Sequence, residues 1–167
     1  GFDAISMADI GAEAGIVGSG IYRHFDSKTA ILVAMADRVM DRLMTRSAAI
    51  IAAGLDEGQT VTLLVRDHIE VALTDRDALA VYHREVRTLP EDERRRLSRA
   101  QRHYIEEWVH LLALLRPDLA HGEVRLAVHA AIGAIQSTLF FRSRLADERL
   151  TELLEGMAHG CLGTDPA

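Results

Sequence analysis

The stretch from Ser6 to Lys28, SMADIGAEAGIVGSGIYRHFDSK, constrains the fold more than any other part of the chain. Ser6 followed three residues later by Asp9 has the spacing of a capping box, in which each side chain reaches the other's free backbone N–H. Met7, Ile10 and Ala14 then recur at helical spacing and form one apolar stripe. Gly15 falls where that helix must stop, and glycine takes a left-handed stop without a Cβ clash. The pattern predicts a second short helix over about 18–24, with Ile21 and Phe25 turned inward and Tyr22, Arg23 and His24 at or near its outer face. Asp26 or Ser27 can cap a third helix, whose first turn contains Lys28. A cation is a poor complement to the positive end of a helix dipole. A phosphate held by Lys28 and the adjacent amides would justify it. Helix, glycine turn, short polar-faced helix and phosphate-facing lysine together make a helix-turn-helix reader.

Beyond the reader, every strong pattern is helical. A long helix is expected from about 28 to 53, ending at Gly54, with Ile31, Leu32, Met35, Val39, Leu43 and Ile50 inward. A loop over 54–60 leads to helices at about 60–74, 76–88, 90–115, 122–143 and 147–161. Asp75 is a candidate cap for the second of these, and Pro90 suits the first turn of the third. Strand alternation and short repeats are absent from the sequence. The expected fold is therefore all-α: a helix-turn-helix domain over 1–45, then a second helical domain over 46–167.

At 167 residues the chain can bury a sizeable core. No apolar run approaches the roughly 20 residues needed to span a bilayer, and Gly1-Phe2-Asp3 carries no basic and apolar leader. Cys161 is the only cysteine, which rules out an intrachain disulfide and fits a reducing, cytoplasmic setting. The formal net charge is −6, and residues 1–44 hold four basic and six acidic side chains. That balance argues against a reader that binds nucleic acid by charge alone.

The register Gly1-Phe2, Ser6-Met7, Ile10, Ala14-Gly15-Ile16, Ile21-Tyr22, His24-Phe25 and Ser27-Lys28 resembles the DNA-binding domain of TetR-family transcriptional regulators. The likeness covers about the first 40 residues; the remainder is similar in being all-helical and of suitable length. Two positions depart from the family pattern: Val17 stands where a capping Ser or Thr is common, and Gly11 where Ala is usual. The resemblance implies a further, basic helix before Gly1, which would correct the charge balance. It also implies a repressor that binds palindromic double-stranded operator DNA as a homodimer and is released by a small, apolar effector.

Candidate DNA-contacting residues are Ser6, Ser19, Tyr22, Arg23, His24 and Lys28. Arg23 suits base-edge readout, since its fork can bond guanine O6 and N7 together. The resemblance further implies an effector pocket among helices spanning about 60–143. Its candidate wall is Leu64, His68, Val71, Tyr82, Val86, Tyr104, Trp108, Ile135 and Phe140. The last two helices are the expected dimer interface, through Val128, Ala131, Ile135, Leu139, Leu150, Leu154 and Met157. The thin run Ala127, Ala130, Ala131, Gly133, Ala134 would permit close helix approach.

The other clusters call for ordinary roles. Seven arginines between Arg84 and Arg102 read as a solvated face paired with Glu85, Glu91, Asp92, Glu93 and Glu106, with a second anionic contact as the other option. The histidines show no metal-ligand spacing, no cofactor motif is present, and no nucleophile has a base beside it. The alternative to a regulator is an all-helical small-molecule-binding protein or enzyme with an incidental reader-like start. It would have to draw on His68, Tyr82, His83 and Glu85.

Overall fold

The computed structural model describes residues 4–16 and 18–166, with the side chains of Gly18 and Ser19 outside that description. Among the described residues it is all-helical, with seven α-helices and three short 3₁₀ segments. Helix α1 (Met7–Glu13) opens on the expected capping box. The Ser6 N–H donates to Asp9 Oδ2 at 2.8 Å, and the Asp9 N–H donates to Ser6 Oγ at 3.1 Å. Met7 and Gly11 are its buried residues. Gly15 reverses the chain at φ +70°, and the Ile16 N–H closes the corner onto the Gly11 carbonyl at 2.8 Å.

The second reader segment, Gly18–Arg23, is a 3₁₀ helix rather than an α-helix. Gly20 lets it pass Ile16 closely, because a Cβ there would sit 2.6 Å from Ile16 Cγ2. Ile21 is buried, while Tyr22, Arg23 and His24 face solvent.

Helix α2 (Lys28–Ala52) is capped by Ser27, whose hydroxyl accepts the Ala30 N–H at 3.1 Å. Its 25 residues span roughly 37 Å. Leu32, Ala36, Val39, Leu43 and Ser47 are its buried stripe. Gly54 ends it at φ +67°. Helix α3 (Glu57–Thr74) is the centre of the body, with Val61, Leu64, Val65, Ile69, Val71 and Ala72 buried. Helices α4 (Arg76–Glu85), α5 (Glu91–Leu115), α6 (His121–Gln136) and α7 (Asp147–Leu162) complete the bundle. One large core joins α2, α3, α5, α6 and α7. A smaller one, Leu32, Ala36, Leu89 and Leu97, lies towards the reader end of α2.

Two expectations need correction. Asp75 occupies the cap position of α4 but makes no capping bond. Its buried carboxylate instead accepts from Arg38 at 2.5 Å and Arg42 at 2.7 Å, fixing α2 against the α3–α4 corner. The helix expected to run to 143 stops at Gln136 and gives way to a 3₁₀ turn, Ser137–Leu139. Ser137 Oγ donates to the Ala134 carbonyl, Thr138 Oγ1 to the Ile135 carbonyl, and Arg76 Nε to the Thr138 carbonyl at 2.7 Å. Side chains thus take the carbonyls that further helix would have used. No described helix is long and apolar enough to cross a membrane.

Candidate nucleic-acid interface and effector cavity

Tyr22, Arg23 and His24 are all exposed on the reader, with Tyr22 54% exposed. Lys28 stands at the first position of α2, immediately beyond the Ser27 cap. Ser6 is at the surface, but its hydroxyl is engaged by the α1 cap, donating to Asp9 Oδ2 at 2.6 Å. That bond and the Ser6 backbone N–H hold the Asp9 carboxyl below its ordinary range. The candidate side chain of Ser19 lies outside the described residues, as do Gly1, Phe2 and Val17.

A cleft in the body is walled by five helices. Met35, Ala36, Val39, Met40 and Leu43 come from α2, Ala78, Leu79, Tyr82 and His83 from α4, and Leu97, Gln101, Tyr104 and Ile105 from α5. His68 of α3 and Ile132 and Gln136 of α6 close it. The interior open to a water-sized molecule is about 50 Å³, and the cleft including its open mouth about 610 Å³. His68 Nδ1 and the Tyr104 hydroxyl share a hydrogen bond of 3.0 Å. Burial lowers the pKa of His68 to about 4, so the ring is neutral at pH 7. Burial likewise lowers that of His83 and raises those of Tyr82 and Tyr104. The cavity therefore offers neutral hydrogen-bonding groups on an apolar wall, which suits an uncharged ligand surface.

Of the nine residues expected on that wall, the cleft brings together His68, Tyr82 and Tyr104. Trp108 stands behind them, its ring 6.0 Å from both His68 and Tyr104. Leu64, Val71 and Ile135 belong to the main core, and Val86 packs on the smaller cluster. Phe140 is 73% exposed, because α6 ends before reaching it; its ring lies outside the cleft against His83. The largest omission is the α2 wall. Its signal was an apolar face wider than one helix contact requires, with Met35 and Met40 flanking the stripe Leu32, Ala36, Val39, Leu43.

The interface expectation is corrected in the same way. Val128, Ala131 and Ile135 are fully buried in the chain's own core, and Leu139 and Leu154 nearly so. Such side chains cannot meet a second molecule. Leu150 is half-buried, and Met157 alone of the seven is exposed, at 54%. The exposed apolar residues of this region are instead Leu126 (70% exposed), Ala130 and Gly133 on α6, Phe140 and Phe141 (71%) just after it, and Met157 on α7. The gripping side chains serve the fold, as does Ala131 of the thin run, while Ala130 and Gly133 face out.

No group of three or more His, Cys, Asp or Glu able to hold a metal ion occurs among the described residues. Glu106, expected to pair with an arginine of the α5 face, is engaged by Arg125 at 2.6 Å.

Comparison with known proteins follows the same division. Residues 1–35 match the family described as bacterial regulatory proteins, tetR family. Residues 54–139 match the tetracyclin repressor-like C-terminal domain. The HTH-type transcriptional repressor KstR2 of Rhodococcus jostii (strain RHA1) is 33% identical over 113 residues, 67% of this chain. The chain spans 55% of that relative's length. A TetR-family regulator from Bordetella parapertussis superposes with a TM-score of 0.82 at 26% identity, over 95% of this chain and 85% of that one. The ketosteroid regulator KstR2 of Mycobacterium tuberculosis gives 0.80 over 96% and 85%, and at 19% identity that likeness concerns the fold.

Proposed function

Because this chain belongs to the TetR family of bacterial regulatory proteins, and is thus a transcriptional regulator rather than an enzyme, we propose that it is a repressor. It binds palindromic operator DNA as a homodimer and is released when a small, mainly apolar effector enters the cleft between α2, α4 and α5. The observation that carries this reading is the continuity of α2. Its first residue follows the reader directly, and its middle turns, Met35 to Leu43, wall the cavity. An interior of about 50 Å³ holds a few waters at most. Sites for small ligands occupy roughly 300–1,000 Å³, so an effector must push the walls apart, and α2 is one of them. The effector favours the arrangement in which α2 has moved, and operator DNA favours the other.

Dimerisation is supported by Leu126, Phe140, Phe141 and Met157, large apolar side chains left on water in or beside α6 and α7. A two-fold dimer presents two readers to the two halves of a palindrome. Repression is supported by the likeness to a named repressor.

The test is selection from a random duplex library by the full-length protein, repeated across salt concentrations. The expected winner is a palindrome whose binding weakens steeply as salt rises. On that operator, Arg23→Ala should cost ~1–3 kcal/mol and relax preference at one base position. Equal loss on operator and random DNA would remove Arg23 from base readout. Failure to enrich any sequence at low salt would overturn the reading.

A further inference from the structure

Two polar residues on the wall of the cleft, His68 and Tyr104, are joined at 3.0 Å through His68 Nδ1 and the Tyr104 hydroxyl. Both are almost wholly buried, at 4% and 2% exposure. The direction of their bond decides what the cleft presents to a ligand. If Nδ1 donated, the Tyr104 hydrogen would need another acceptor, and it has none among the described residues. The Trp108 indole N–H, beyond bonding distance, acts on the Tyr104 oxygen as a donor and supplies no acceptor either. The phenol hydrogen therefore goes to Nδ1. A neutral imidazole carries one N–H, so His68 holds its hydrogen on Nε2.

Nε2 has no hydrogen-bond partner among the described residues, yet it is not one of the buried atoms closed off without one, as the Trp108 indole nitrogen is. The small open part of the ring thus includes Nε2, and the space it opens into is the cleft that His68 lines. A donor left unpaired in a narrow apolar space favours a ligand that brings an acceptor.

The rest of the wall narrows the class. No lysine or arginine lines the cleft, and burial disfavours a charge on His68 or His83. A carboxylate would lose its hydration there with no cation in return. A hydroxyl would have its own hydrogen to place, and Nε2–H cannot take it. An uncharged carbonyl oxygen only accepts, so one donor satisfies it.

We infer that His68 Nε2 selects the effector by donating to the carbonyl oxygen of an uncharged, otherwise apolar ligand. This deepens the effector reading above and rests on it.

Trp108 is the only tryptophan of the chain, and its ring lies 6.0 Å from both His68 and Tyr104, so its fluorescence reports occupancy. The full chain is titrated at neutral pH with 2-octanone, 1-octene and octanoate. Ketone and alkene should both bind, and octanoate should bind about ten-fold more weakly than the ketone, or worse. His68→Leu should weaken 2-octanone binding about five-fold or more and leave 1-octene within about two-fold, which also shows that the variant folds. His68→Gln keeps an N–H donor and should recover most of the ketone affinity. In the infrared, the C=O stretch of bound 2-octanone should lie lower in the wild type than in His68→Leu, a shift that a structural role would not produce. Equal ketone affinity or an equal stretch in the two proteins would overturn the role of His68 and leave the effector cavity standing. Equal loss of ketone and alkene would make His68 structural and overturn the inference too. Octanoate binding as tight as the ketone's would overturn the uncharged class. Fluorescence that responds to none of the three would overturn the cavity reading itself.

Discussion

The reader and the body are stabilised by different means. From Ala4 to Ser27 the described chain buries Met7, Gly11 and Ile21 and relies on bonds between near neighbours: a capping box, a left-handed glycine and a second serine cap. In the body, α3 alone buries ten residues, and its partners come from helices far along the chain. A unit held by local bonds costs little to remodel, whereas one held by long-range packing resists. A regulator gains from both, since the reader must adapt to DNA while the body must hold a defined cavity.

The contrast is sharpest in the effect of removing a large side chain. Trp108→Ala should destabilise the body by ~3–5 kcal/mol, read as a fall in the thermal midpoint. A loss under 1 kcal/mol would mean that the body tolerates voids and that the contrast with the reader is false. Next comes acid. With His68 lowered to about 4 in the fold and near 6.5 when unfolded, the unfolded state binds the extra proton between those values. The stability contribution is intact above pH 6.5 and is lost progressively down to pH 4, by up to ~3 kcal/mol. In His68→Gln that segment of the stability–pH curve should flatten, and a curve that stays unchanged would place the acid sensitivity elsewhere.

The reader should respond on a smaller scale. Ser6→Ala removes half of the capping box and should cost α1 ~1 kcal/mol. Faster amide exchange should appear in Met7–Glu13 and not in α3. If α3 exchange accelerates equally, the two regions unfold together and are not separately held. Smallest is a gain. A Cβ on Gly11 would meet Ile16 O at 3.4 Å and Ile21 side-chain atoms at 3.5 Å, ordinary contact distances. Gly11→Ala should therefore slow α1 exchange by the equivalent of up to ~1 kcal/mol. A destabilised α1 would show that this corner is tighter than its distances imply.

The same division governs what could be read from the chain. Ser6 with Asp9, and Gly15, act within a few residues, so their roles were legible. So were the number and approximate limits of the helices, because apolar period is a local signal. Asp75 was misread as a cap because its true partners, Arg38 and Arg42, lie more than thirty positions away. The end of α6 was misplaced because Arg76, from another helix, takes the Thr138 carbonyl. On α6, the stripes Val128, Ala131, Ile135 and Leu126, Ala130, Gly133 are both apolar. Spacing alone does not decide which one turns inward; the packing of α3, α5 and α7 against the helix does. The α2 wall was overlooked for a related reason, since its apolar face serves the core and the cavity together.

The length of α2 has a mechanical consequence. Ser47, buried and bonded to Glu107 at 2.5 Å, holds the body end of the helix, and the Arg38 and Arg42 pairs with Asp75 are the contacts that any displacement at Val39 must stretch. Val39, on the cavity wall, is roughly 12 Å from Ser47 along the axis, and Lys28, at the start of the helix, roughly 28 Å. A rigid rod of those proportions more than doubles any sideways displacement, so about 1 Å at Val39 becomes about 2.4 Å at Lys28. Phosphate contacts of 2.7–3.2 Å do not survive a shift of that size. On the mechanism proposed above, the body would need to open only slightly for the reader to lose its grip.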